Sequence, residues 1–78
     1  MSTMTKIKST QELGQALRSA RKRLGLTQPR LALAAGVGVR FIVELESGKS
    51  TVRLDSVMRV IEALGGEINL NGLAISAN

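Results

Sequence analysis

The stretch Gln28-Pro29-Arg30-Leu31-Ala32-Leu33-Ala34-Ala35-Gly36-Val37-Gly38-Val39-Arg40-Phe41-Ile42-Val43-Glu44-Leu45 decides the fold. Its apolar residues fall into two short helical sets separated by glycine. Leu31 and Ala35 make the inward stripe of a helix that Thr27 can cap. Pro29 is tolerated in its first turn, where the missing N–H would have been an orphan anyway. Ala32 is small where two helices must cross closely, and Gly36 falls where the chain must turn sharply, with positive φ. Ile42 and Leu45 then anchor a second helix, from about Val39 to Glu46, on the first, and Ser47-Gly48 closes it. The spacing predicts two short crossed helices, the second with an outer face left free.

The flanks build a domain around this pair. A first helix starts near Ser9, whose hydroxyl caps while Glu12 answers it in a capping box. Leu13, Leu17, Ala20 and Leu24 give it one apolar face, and Gly25 ends it. A fourth helix spans roughly Leu54 to Leu64, with Leu54, Val57, Met58, Ile61 and Leu64 at helical period and Met58 assigned to the core. Beyond Gly65-Gly66 the period changes. Glu67 to Asn71 alternates polar and apolar, as a strand with Ile68 and Leu70 on one buried face does. Asn71-Gly72 suits a two-residue hairpin turn that would return Leu73 and Ile75 to that face. A lone strand or hairpin is unstable in water. It either packs onto its own domain or pairs with the same strand of a second copy about a two-fold axis, the arrangement expected here. The expected organisation is thus all-α: a flexible arm over 1–8, four helices over 9–66, and a dimerising strand and tail over 67–78.

Composition limits the chemistry. A chain of 78 residues makes one domain and buries only about 60% of its unfolded surface, so association helps its stability. It has no Cys, His, Trp or Tyr, which removes disulfides, thiolate metal sites and the commonest proton shuttle. Its carboxylates are one Asp and five scattered Glu. No catalytic residue, cofactor or metal is expected. The net charge is +5, unevenly placed. Residues 1–30 carry Lys6, Lys8, Arg18, Arg21, Lys22, Arg23 and Arg30 against Glu12 alone, whereas the remainder is nearly balanced. A one-sided excess favours a polyanion, although Arg18, Arg21, Lys22 and Arg23 also fit a merely solvated helix face. The longest run without a polar residue, Leu31 to Val39, falls far short of the roughly 20 residues that cross a bilayer. The N-terminus shows no signal-peptide apolar core, so a cytoplasmic location and no membrane partner are expected. The crossed pair, with its free outer face, then reads as a helix-turn-helix aimed at a DNA major groove.

Leu24-Gly25-Leu26-Thr27-Gln28, Leu31-Ala32, Ala35-Gly36-Val37, and Ile42 with Leu45-Glu46-Ser47-Gly48-Lys49 resemble the lambda-repressor-like (Xre-type) helix-turn-helix family over about residues 9–66. The ending Ala63-Leu64-Gly65-Gly66-Glu67-Ile68-Asn69-Leu70 looks like HipB-type antitoxins. In that group the strand pairs across a homodimer, and the protein neutralises a HipA-type kinase toxin and represses its own operon. The resemblance implies a palindromic double-stranded DNA operator. It implies base contacts from Val39, Arg40 and Val43 or Glu44, and backbone contacts from Gln28, Lys49 and Ser50. It also implies an Arg21–Glu46 ion pair in which Arg21 can bridge to a phosphate as well, and dimerisation through Ile68 and Leu70. A stand-alone phage-type or chromosomal repressor with no toxin fits the same residues, and a pure protein-interaction module would treat the basic half as solubility charge.

Several residues depart from the family pattern. Gly38 stands where Ser or Thr often caps, and Val39-Arg40-Phe41 replaces the usual polar readers. Arg40 suits a bidentate hold on guanine, while Val39 and Val43 suit thymine methyl groups. Leu33 occupies an expected polar surface position, a candidate partner contact. Arg53 sits at a helix N-cap and is expected to touch phosphate. Phe41, the only aromatic residue, is expected to pack rather than to stack on a base.

Overall fold

The computed structural model describes residues 4–74, which form four helices: α1 (Thr10–Arg23), α2 (Gln28–Ala35), α3 (Val39–Glu46) and α4 (Leu54–Ala63). Local chemistry sets their ends. The Glu12 N–H donates to Ser9 Oγ (3.1 Å), and Glu12 Oε1 reaches back to accept from the Lys8 N–H (2.6 Å), so the carboxylate clasps the residue before the cap. At α2, Thr27 Oγ1 accepts from the Arg30 N–H at 3.2 Å. Gly36 terminates α2 with φ 72° and ψ 33°, the left-handed conformation that lets α3 leave at a sharp angle. Gly38 and Arg53 occupy the N-caps of α3 and α4 without a side-chain hydrogen bond. Those two helices are held by packing instead.

α2 packs on both α3 and α4, and α1 packs on α3. The shared core is Leu17, Leu31, Ala32, Ala35, Ile42, Leu45, Val57 and Val60, with Phe41, Leu13, Val37 and Leu64 against its edge. α1 lies unusually close to the end of α3. A Cβ on Gly14 would stand 2.5 Å from the Leu45 carbonyl oxygen and 2.8 Å from that of Glu46. One turn earlier, Thr10 Oγ1 donates to the Gly48 carbonyl at 2.8 Å, tying the start of α1 to the same corner.

Three expectations are corrected. Met58 is 52% exposed and Leu54 is exposed as well, while Val60 is fully buried. At 100° per residue the large apolar residues from Leu54 to Leu64 cover an arc of about 160°; Val57, Val60, Ile61 and Leu64 meet the core, and the Leu54–Met58 edge does not. Leu24 lies past the last turn of α1, as its C-cap, and is exposed. No strand or hairpin forms among the described residues. The alternating segment 67–71 finds no ladder partner among the described residues, Ile68, Leu70 and Leu73 stay exposed, and Ile75 lies outside the described residues. Thr5, Lys6 and Ile7, all exposed, line a shallow cleft with Glu12, Gln15, Ala16 and Ser19 of α1. No helix among the described residues is long and apolar enough to cross a membrane.

Candidate nucleic-acid interface

The interface is built on α3. Ile42 and Leu45 fix its inner side, so residues offset by about half a turn must face outward. Val39 and Val43 are nearly half exposed, and the Arg40 side chain is 90% exposed between them. They sit on two successive turns of one surface. A major groove admits a helix of this width, and Arg40 carries the paired N–H donors that match guanine O6 and N7. Phe41 points the other way and packs against the core edge.

Beneath this face an ionic joint locks α1, α2 and α3 together. Arg21 Nε donates to Glu46 Oε2 at 2.6 Å, and Nη2 donates to Oε1 at 3.0 Å. Arg21 Nη1 donates to the Leu26 carbonyl at 2.8 Å, and Gln28 Nε2 donates to Glu46 Oε1 at 3.1 Å. Arg21 is only 7% exposed, yet every buried side-chain polar atom among the described residues has a partner. Burial is the strongest influence on the Glu46 carboxyl and pushes its pKa up. The hydrogen bonds from Arg21 and Gln28 and the charges of Arg21 and Arg18 outweigh it, so Glu46 titrates below the usual carboxylate range. Arg21 is held charged, chiefly by its hydrogen bond to Glu46.

Of the two roles expected for Arg21, the structure displays the ion pair and leaves little of the guanidinium surface for a phosphate. Exposed Arg18, one turn earlier, shares with it an open groove of about 530 Å³ lined also by Thr27, Gln28, Pro29, Val43, Glu46 and Ser47. Arg18 was legible only as a member of a basic cluster, because its place on the groove depends on how α1 crosses α3. Gln28 uses one amide N–H on Glu46, which leaves the other for the groove. Lys49 and Ser50 follow α3 on the surface, with Lys49 Nζ 3.3 Å from Glu44 Oε2. Arg53 turns toward its own helix and forks onto Asp55 at 2.8 and 3.2 Å, holding that carboxyl below its ordinary pKa. Leu33 is 84% exposed on α2, and Ile68 and Leu70 lie beyond α4, away from the ionic joint in sequence.

Residues 17–70 match the helix-turn-helix family model. This chain belongs to the helix-turn-helix family. Its similarity to the uncharacterized HTH-type transcriptional regulator y4mF of Sinorhizobium fredii is 43% identity over 65 residues, 83% of this chain and 86% of that protein. The family is one of DNA-binding transcriptional regulators rather than of enzymes. Among solved structures, a chain of the HipA-HipB-O2-O3 complex superposes with a TM-score of 0.82 at 24% identity, covering 91% of this chain and all of the other. The clp gene regulator ClgR from C. glutamicum matches with a TM-score of 0.69 at 33% identity, covering 85% of each chain. The four-helix, Xre-type reading of the sequence is therefore borne out at the level of fold and family.

Proposed function

We propose that this helix-turn-helix protein is a sequence-specific, double-stranded DNA-binding repressor that acts from the cytoplasm as a homodimer on a palindromic operator. The observation that carries the reading is the outward set Val39, Arg40 and Val43 on a helix whose orientation the Arg21–Glu46–Gln28 joint fixes. Arg40, with Val39, Val43 and Glu44, reads base edges. Gln28, Lys49, Ser50 and Arg18 hold the sugar-phosphate backbone; Arg53, exposed and with N–H donors to spare beside Asp55, joins them, and Arg21 does so only where Glu46 releases an N–H. The solvent-facing flank of α4, Leu54 and Met58, together with Ile68 and Leu70, supplies the apolar surface for a second copy. Pairing of segment 67–71 across the two-fold axis would give it the ladder that it lacks among the described residues.

The fold it shares with a chain of the HipA-HipB-O2-O3 complex supports a finer role as an antitoxin. In that role it autoregulates its operon and neutralises a HipA-like kinase toxin. A stand-alone repressor is favoured instead by the likeness to ClgR, whose name describes a gene regulator. Footprinting on the DNA upstream of the protein's own gene tests the main reading. Protection of two half-sites about 34–36 Å apart is expected, and uniform protection without half-sites would refute it. Co-purification with a kinase-like protein encoded beside it separates the two finer roles.

A further inference from the structure

The DNA-facing surface carries one accessible carboxylate that the ionic joint does not consume. Glu44 Oε2 lies 3.5 Å from Arg40 Nε and 3.3 Å from Lys49 Nζ, so a single oxygen is shared by two cations, one on α3 and one on the loop after it. The loop that carries Lys49 is tied to the backbone of Glu44 itself. The Glu44 carbonyl accepts from Ser47 Oγ at 2.8 Å and from the Lys49 N–H at 3.1 Å, and its side chain is only 30% exposed. Both cations are expected to meet DNA, one at a base edge and one at a phosphate. In the free protein, the Glu44 carboxylate is the anion that lies between them.

We infer that Glu44 sets specificity by acting as a resident substitute for phosphate. This rests on the reading that α3 faces DNA. A duplex that offers only its backbone must displace Lys49 from Glu44 and bring its phosphates close to a fixed like charge, so non-specific binding is selectively weakened. A cognate site compensates at both ends. A guanine edge receives Arg40, and a cytosine amino group donates to the carboxylate that Arg40 leaves. Where guanine or thymine stands in place of cytosine, Glu44 meets a carbonyl oxygen and finds no donor. Specificity here comes from a repulsive element beside the attractive one.

The test uses the whole wild-type protein to select duplexes from a randomised pool. Wild type and Glu44→Gln are then titrated against a selected duplex and a random one of equal length, over a range of salt. The amide keeps the side-chain shape without its charge. Glu44→Gln is expected to bind the random duplex about tenfold more tightly, with less than a twofold gain on the selected one, so discrimination falls. Its salt dependence on random duplex should steepen by up to about 0.9 for each cation set free. Lys49→Ala should weaken random binding more in the Glu44→Gln background than alone. Equal changes on both duplexes, or no change in discrimination, would overturn the assignment of Glu44 and leave the DNA-binding reading standing. Failure of wild type to enrich any duplex would sink both.

Discussion

Replacing Gly14 with alanine sets two effects of known sign against each other. In an isolated helix, Gly→Ala stabilises by about 1 kcal/mol, because glycine loses more backbone entropy on folding. Here the new methyl would stand 2.5 Å from the Leu45 carbonyl oxygen and 2.8 Å from that of Glu46, where ordinary contact begins at 3.4 Å. The obstacle is the backbone at the end of α3, not a side chain that can rotate away. Relief requires α1 and α3 to separate by most of an ångström, and overpacking of this kind destabilises by about 1–3 kcal/mol. The same movement stretches the 2.6 Å contact between Arg21 and Glu46, which join the same two helices. We therefore expect the upper part of that range, a net loss of about 1–2 kcal/mol after the helix-propensity gain. For a domain of this size the melting midpoint should fall by about 4–16 °C. Thermal unfolding followed by far-ultraviolet circular dichroism, at one fixed protein concentration, measures it. Ser19→Ala, on the exposed side of α1, serves as the control for propensity alone and should melt no lower than wild type. A Gly14→Ala protein that melts higher by the full propensity gain would refute the close crossing of α1 and α3.

The remaining expectations concern the ionic joint, the reading face and the dimer. Glu46→Ala strands a charged, buried Arg21 and should destabilise by about 3–5 kcal/mol in denaturant titration at neutral pH; a loss below about 1 kcal/mol contradicts the joint. Because the folded Glu46 pKa is depressed, its contribution is full above the unfolded carboxylate value near 4.5 and is lost as pH falls through the lower folded value. Stability against pH should show an acid limb below that value in wild type, and the limb should shrink in Glu46→Ala. Arg40→Ala should relax preference at one base pair by about 1–3 kcal/mol. Lys49→Ala should instead weaken all duplexes alike and flatten the salt slope by about 0.9, so indistinguishable profiles from the two variants would displace Arg40 as the reader. Met58→Glu, on the free flank of α4, should shift sedimentation toward monomer without lowering helix content; an unchanged dimer would exclude that flank from the interface.

What the sequence made legible follows the range of the forces involved. The caps at Ser9 and Thr27 and the turn at Gly36 are decided within a few residues, so α1 and α2 begin, and α2 ends, where propensity and capping put them. The Val39–Arg40–Val43 face followed from the inward spacing of Ile42 and Leu45. Gly14 gave no warning, because a glycine inside a helix reads as a defect until another helix is seen to need its missing side chain. Leu54 and Met58 were misplaced for a different reason. An apolar arc wider than one packing seam does not say which edge of itself turns inward, and that choice belongs to α2 across the interface. The alternation over 67–71 announces a buried face but cannot supply the neighbour that buries it. Arg18 and Arg21 looked interchangeable in a run of positive charge, and only the crossing of α1 over α3 separates a groove-side cation from an interior one.

The division of α3 into an anchored side and a free one has a consequence for how such proteins diversify. Ile42 and Leu45 bear the folding, while Val39, Arg40 and Val43 lie outside the buried core cluster. Substitutions at those three positions can change the message the helix reads while leaving the scaffold's stability nearly untouched. New operators are thus within reach by single steps at positions 39 and 43, whereas a change of Arg40 also alters the cation that Glu44 holds.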